Sequence, residues 1–151
     1  MNSGPATSRR DLTFYGTYEH AMDERGRLAV PAAFRRDFGA GGVLRPSVEG
    51  CIELYTSEGF EAEAARRLSG KEESSRTLAA RRTRRQFMAE AFAVELDRQG
   101  RILVPAPIRA TTGLDGRAVV VGCGDYLEVW EYERWLAEQA ALRAAEAEAL
   151  Q

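Results

Sequence analysis

Asp23-Glu24-Arg25-Gly26-Arg27-Leu28-Ala29-Val30-Pro31-Ala32-Ala33-Phe34-Arg35 returns 74 residues later as Asp97-Arg98-Gln99-Gly100-Arg101-Ile102-Leu103-Val104-Pro105-Ala106-Pro107-Ile108-Arg109. Seven of the thirteen positions are identical. A repeat of this kind has to be read first, because the fold must be built from two copies of one unit. Each copy reads as strand, tight turn, strand and helix start. Asp23 and Asp97 open the turn, since an Asp side chain bonds nearby backbone donors. Gly26 and Gly100 stand where a short hairpin loop needs positive φ. Pro31 and Pro105 hold the preceding Val extended and preset the first turn of a helix. Those helices are predicted to be short, over 32–38 and 106 to about 112.

Outside the hairpins the likeness is weaker. Cys51-Ile52-Glu53-Leu54-Tyr55 parallels Tyr126-Leu127-Glu128-Val129-Trp130, and Ser57-Glu58-Gly59-Phe60 parallels Tyr132-Glu133-Arg134-Trp135. Each unit is then about 45 residues, too few to bury its own apolar face. The two copies are expected to pack together or exchange strands into one β-rich body.

The remaining chain fits around them. Leu12 to Met22 reads as a first strand region, and Phe92, Val94 and Leu96 alternate with polar or small residues ahead of the second turn. Val43–Arg45 and Ile52–Tyr55 read as paired strands, and Ala118–Gly122 as a buried one. A helix is expected over 58–68, capped by Thr56 or Ser57, then a polar break over 69–75. A second helix, from Arg76 to about Ala91, carries Arg76, Arg81, Arg82, Arg84 and Arg85, with Leu78, Phe87 and Met88 as its apolar side. Glu131–Gln151 reads as an alanine-rich helix on which Trp135 packs.

The chain has 151 residues, 44% of them hydrophobic, and a net charge of −2. That balance argues against nucleic acid until it is resolved by segment. Residues 9–45 hold seven Arg against five acids, and residues 76–109 hold eight Arg against three. Residues 46–75 come to −4 and 110–151 to −5. Both hairpins therefore lie in basic stretches, and a polyanion senses the local patch. No apolar run approaches the roughly 18 residues of a membrane span. Residues 1–11 are expected to be a disordered lead-in without the apolar core of a signal peptide, so the cytoplasm is the expected location by default. Cys51 and Cys123 lack a metal-ligand spacing and His20 is the single histidine, so no metal or cofactor is expected.

Two D-x-x-G-R hairpins, each followed by an apolar strand and Val-Pro, resemble the MraZ family of bacterial transcription regulators. Phe14-Tyr15-Gly16-Thr17-Tyr18-Glu19-His20, Gly113-Leu114, Val121-Gly122 and Leu127-Glu128-Val129-Trp130 add to the resemblance, which covers about 14–135. It implies an α+β, β-rich fold: a double-split, swapped-hairpin, AbrB-like β-barrel from two pseudo-repeats with flanking helices. The implied organisation is an extension over 1–13, SpoVT-AbrB-type repeats over 14–60 and 91–134, a helical linker over 61–90, and a C-terminal helix and tail over 135–151. It also implies binding of double-stranded promoter DNA at short direct repeats upstream of the division and cell-wall gene cluster, association with the nucleoid, and ring-shaped homo-oligomers. No membrane or small-molecule partner is implied. The chain departs from the pattern with Arg25 where lysine is common, with Pro107 inside a short helix, and with about a dozen extra residues before Phe14.

Arg25, Arg27, Arg98 and Arg101 are the candidate DNA-contacting residues, with Asp23, Gly26, Asp97 and Gly100 as structural partners of the turns. The competing reading of Arg27 and Arg101 is that they only bridge to Asp23 and Asp97 within their own hairpins. Three other functions stand against DNA binding: a ring-forming scaffold for protein, an antitoxin-like binder of the same superfamily, and an enzyme. The last lacks a Ser/His/Asp set, a phosphate-cradling loop and a metal cluster.

Overall fold

The structure, a computed structural model, describes residues 13–68 and 77–151. The lead-in expected over 1–11, Leu12 at the start of the first expected strand region, the polar break over 69–75 and Arg76 lie outside the described residues. The elements are β1 (Thr17–Ala21), β2 (Arg27–Ala29), a 3-10 helix (Ala32–Phe38), β3 (Gly42–Pro46), β4 (Ile52–Thr56) and α1 (Ser57–Leu68). Then follow α2 (Leu78–Ala89), β5 (Phe92–Val94), β6 (Arg101–Leu103), α3 (Ala106–Thr112), β7 (Arg117–Gly122), β8 (Leu127–Glu131) and α4 (Tyr132–Ala149).

The two repeats exchange strands. One antiparallel sheet runs β1-β7-β8-β4-β3-β5, and a separate two-stranded ribbon joins β2 to β6. Strand β1 of the first repeat thus pairs with β7 of the second, while β5 of the second pairs with β3 of the first. Swapping repeat labels simply reverses the sheet order, so the fold carries a pseudo-two-fold axis. It passes between Leu28 and Ile102, which face each other in the ribbon, and between Glu53 and Glu128, which face each other on β4 and β8. The fold is mixed α+β. The six-stranded ladder ends at β1 and β5, so the hydrogen-bonded strands described here do not close into the expected barrel.

The core lies between ribbon and sheet and draws on both copies. Leu28, Val30, Ile102 and Val104 come down from the ribbon, while Leu44, Leu54, Val120 and Leu127 come up from the sheet. Neither face could leave water alone, which is why half of this structure would not fold as a unit. Phe34 and Phe38 project from the 3-10 helix, and Phe14 stands edge-on to Phe34 at 5.0 Å. The short helices behave differently in the two copies. Pro107 falls in the first turn of α3, where its missing N–H costs nothing, and α3 ends at Gly113 in the left-handed conformation.

The opposed Glu53 and Glu128 would repel across the central strands. Arg45 and Arg67 reach Glu53 at 3.4 and 3.3 Å. Tyr126 Oη and Trp130 Nε1 donate to Glu128, both at 2.9 Å. Around these groups Phe60 stacks on Phe87 with centroids 5.5 Å apart, and Arg45 lies 4.4 Å above the Phe87 ring, docking α1 and α2 on the sheet. Phe87 is the one residue of the expected apolar side of α2 that is buried; Leu78 and Met88 are exposed, because a single aromatic suffices to seat this helix. Thr56 Oγ1 accepts from Gly59 N at 2.9 Å, and Thr77 Oγ1 from Ala80 N at 3.1 Å, so both helices are capped. Helix α4 runs to Ala149 with none of its residues buried, although Trp135 packs 5.7 Å from Trp130.

Because Ile102 sits fully buried on the pseudo-axis, Ile102→Ala is expected to destabilise the protein by about 2–5 kcal/mol through lost burial and a cavity. Urea denaturation checks this; a loss below about 1 kcal/mol would mean the ribbon is not part of the core.

Candidate nucleic-acid interface

Each turn is built the same way. The Asp23 carboxylate accepts from the backbone N–H groups of Arg25 and Arg27 at 2.9 and 2.8 Å and from Arg27 Nε at 3.0 Å. The Asp97 carboxylate accepts from the N–H groups of Gln99 and Arg101 at 2.8 and 2.9 Å and from Arg101 Nε at 3.0 Å. Gly26 and Gly100 take φ of +81° and +79° and close each turn by donating to the Asp carbonyl at 3.0 Å.

The turns are also braced against each other. Val104 N donates to Gly26 O and Val30 N to Gly100 O, each at 2.9 Å, extending the ribbon at both ends. Arg101 Nη1 crosses to Asp23 at 3.3 Å and Arg27 Nη1 to Asp97 at 3.9 Å. The two tips therefore stand at opposite ends of one ribbon, with Gly26 and Gly100 roughly 13 Å apart at the usual strand rise. Leu28 and Ile102 point into the core, while Arg27, Ala29, Arg101 and Leu103 alternate onto the other face.

Sequence reasoning passed over two further arginines. Arg35 Nε donates to Val30 O at 2.8 Å and Arg109 Nη1 to Val104 O at 2.7 Å. Each guanidinium lies against the turn glycine of the opposite hairpin: a Cβ at Gly26 would overlap Arg109, and one at Gly100 would overlap Arg35. The signal was present, since Arg35 and Arg109 are identical between the copies while their neighbours Phe34 and Ile108 differ.

Arg27 and Arg101 share the outer face of the ribbon, and Arg25 and Arg98 stand in the turns at its two ends. Arg27 and Arg101 are held by both Asp23 and Asp97, with side chains 29% and 26% exposed. Bridging is real, and it orders these guanidinium groups while leaving part of each open. Arg25 and Arg98 are exposed and make no side-chain ion pair with any described residue. Arg81, Arg82, Arg84 and Arg85 of α2 are likewise exposed. Asp23 and Asp97 are each held below the ordinary carboxylate range, chiefly by the backbone N–H of Arg27 and of Arg101.

Other titratable groups among the described residues include His20 and the two cysteines. Burial lowers the His20 pKa, helped by Arg35, and no described nucleophile is hydrogen-bonded to it. The fold brings Cys51 within 4.8 Å of Glu49 and Glu128, a neighbourhood that sequence spacing did not suggest. The Cys51 thiol is pushed up to about 12 by burial and lies 3.2 Å from Ser47 Oγ, so it keeps its proton at neutral pH.

Two outcomes follow from the turn geometry. Gly26→Ala is expected to cost at least the roughly 1–2 kcal/mol of left-handed backbone, plus displacement of Arg109. In a double-mutant cycle, Arg109→Ala should recover the second part and leave the first; additive losses would mean the two residues do not touch. The Asp groups have folded pKa values below their unfolded value of 3.8. Their contribution is then complete above that pH and is lost as pH falls through the folded values. Thermal melts from pH 6 to pH 2 should show a shallower acid limb for Asp23→Asn/Asp97→Asn than for the unaltered chain; parallel limbs would contradict the assignment.

Comparison with known proteins agrees with this architecture. The family described as "MraZ protein, putative antitoxin-like" matches residues 13–86 and again 87–151. A protein of Thermomicrobium roseum named transcriptional regulator MraZ is 44% identical over 135 residues, covering 88% of this chain and 91% of the relative. Proteins of the same name from Micrococcus luteus and Lachnoclostridium phytofermentans are 40% and 39% identical, covering 85% and 81% of this chain and 90% and 84% of those relatives. With both halves matched and relatives aligned over most of their length, the chain belongs to the MraZ family.

Proposed function

We propose that this chain is a sequence-specific DNA-binding transcriptional regulator, and not an enzyme, which grips double-stranded DNA with the ribbon of β2 and β6 and the turns at its two ends. The observation that carries this reading is the pairing of exposed Arg25 and Arg98 at the tips with Arg27 and Arg101 ordered by carboxylates between them. A two-stranded ribbon fits the major groove, where Arg recognises guanine bidentately, and guanidinium groups also hold phosphate. The names of the relatives support the same role. On this reading sheet and ribbon are the two parts of a double-split barrel, its repeats spanning 14–60 and 91–134, with a helical linker over 61–90 between them.

The target is short direct repeats upstream of the division and cell-wall gene cluster, bound in the cytoplasm at the nucleoid. A head-to-tail ring of subunits presents the same face in succession, so consecutive subunits engage consecutive repeats. Each contact is then weak, and avidity supplies affinity.

Fluorescence anisotropy with upstream DNA, measured over a salt series, tests the assignment. Arg25→Ala or Arg98→Ala should weaken binding while the oligomer, followed by sedimentation, keeps its size. Loss of a phosphate contact lowers the salt slope by about one, and loss of a guanine contact costs about 1–3 kcal/mol at one base pair. Unchanged affinity in both variants would refute the interface.

A further inference from the structure

The two tips share a backbone and not a chemistry. Their turn hydrogen bonds, glycine φ angles, Asp–Arg pairs and cross-braces match across the pseudo-axis. At the outermost positions the side chains differ. Glu24-Arg25 on the first tip corresponds to Arg98-Gln99 on the second, and all four are exposed. The third difference on this face sets Ala29 against Leu103, which is 55% exposed and lies opposite Arg27, towards the first tip. The other differences within the repeated stretch are Leu28/Ile102 and Phe34/Ile108, which are buried, and Ala33/Pro107 in the short helices.

Resting on the DNA-binding reading above, we infer that the tips are unlike readers: one subunit recognises two different half-sites and lies on the duplex in a single direction. The chemistry of each tip fixes its class of base. Glu24 accepts a hydrogen bond and Arg25 donates two, which suits the cytosine N4 and guanine O6/N7 of G·C pairs. Gln99 makes its bidentate pair with adenine N6/N7, while Arg98 beside it adds a guanine or phosphate contact. Leu103 gives the first tip an apolar surface for a thymine methyl, where the second has only the small Ala29. If the tips were identical, the pseudo-two-fold scaffold would read an inverted repeat and would bind equally well in either orientation. Unlike tips remove that degeneracy. Subunits set side by side with a common polarity then read head-to-tail copies of one asymmetric site.

Making the tips alike tests this. Glu24→Arg/Arg25→Gln gives two Arg-Gln tips, and Arg98→Glu/Gln99→Arg gives two Glu-Arg tips, each combined with Leu103→Ala so that alanine stands beside both tips. The full-length protein and both variants would be used to select duplexes from a pool with a randomised stretch of about 20 base pairs. Circular dichroism and sedimentation would check that each variant keeps its fold and oligomer. The unaltered chain is expected to enrich a site without two-fold symmetry. Each variant should enrich an inverted repeat and lose about tenfold or more in affinity for the original site, the effect of one bidentate contact. As a minimal variant, Gln99→Ala should relax preference at one base pair of one half-site and leave the salt slope unchanged. An inverted repeat for the unaltered chain, or variants that keep its site and affinity, would overturn the inference alone. Enrichment of no sequence at all would overturn the DNA-binding reading and this inference with it.

Discussion

Val104 N to Gly26 O and Val30 N to Gly100 O are two backbone hydrogen bonds, and the face proposed to bind DNA depends on them. They tie each turn to the far end of the other repeat's strand. A free hairpin of this size is marginal in water, with its tip unrestrained. Here each tip is fixed by its own Asp, by the partner strand and by the partner's arginine. On the proposed reading the arginines at the tips meet DNA from a braced backbone, and little side-chain entropy is left to lose at Arg27 and Arg101.

Strand exchange sets the core and the face proposed to bind DNA back to back on one ribbon. Leu28 and Ile102 seal the core directly beneath the face that carries Arg27 and Arg101. Asp23 and Asp97 serve both ends of the problem: they close the turns, and they hold guanidinium groups without burying them. Their negative charge also sharpens the face. They pair with Arg27 and Arg101, while Arg25 and Arg98 at the two tips make no ion pair with a described residue. Around the ribbon and its turns Arg25, Arg27, Arg35, Arg98, Arg101 and Arg109 outnumber Asp23, Glu24 and Asp97, so a chain of net charge −2 carries a local positive excess there.

Much of this was legible in the sequence, for physical reasons. The duplicated Asp, Gly and Pro mark backbone states that few other residues tolerate, so turns, strand ends and helix starts fell where they were expected. Periodicity located the strands but not their partners. That β1 pairs with β7, and β3 with β5, follows from packing two incomplete units, which no local pattern records. Phe87 alone seats α2, because the Arg45–Phe87–Phe60 stack replaces the wider apolar stripe that helical spacing suggested. Arg35 and Arg109 stayed hidden because their role is a contact across the repeats, between a helix of one and a turn of the other.

Hydrogen–deuterium exchange on the full chain, with and without its upstream DNA, tests the central claim most directly. Backbone slowing confined to 24–29 and 98–103, the two tips and the ribbon between them, is the predicted result. Slowing along α2, around Arg81 to Arg85, with the tips unchanged, would contradict the account and move the interface to another face of the molecule.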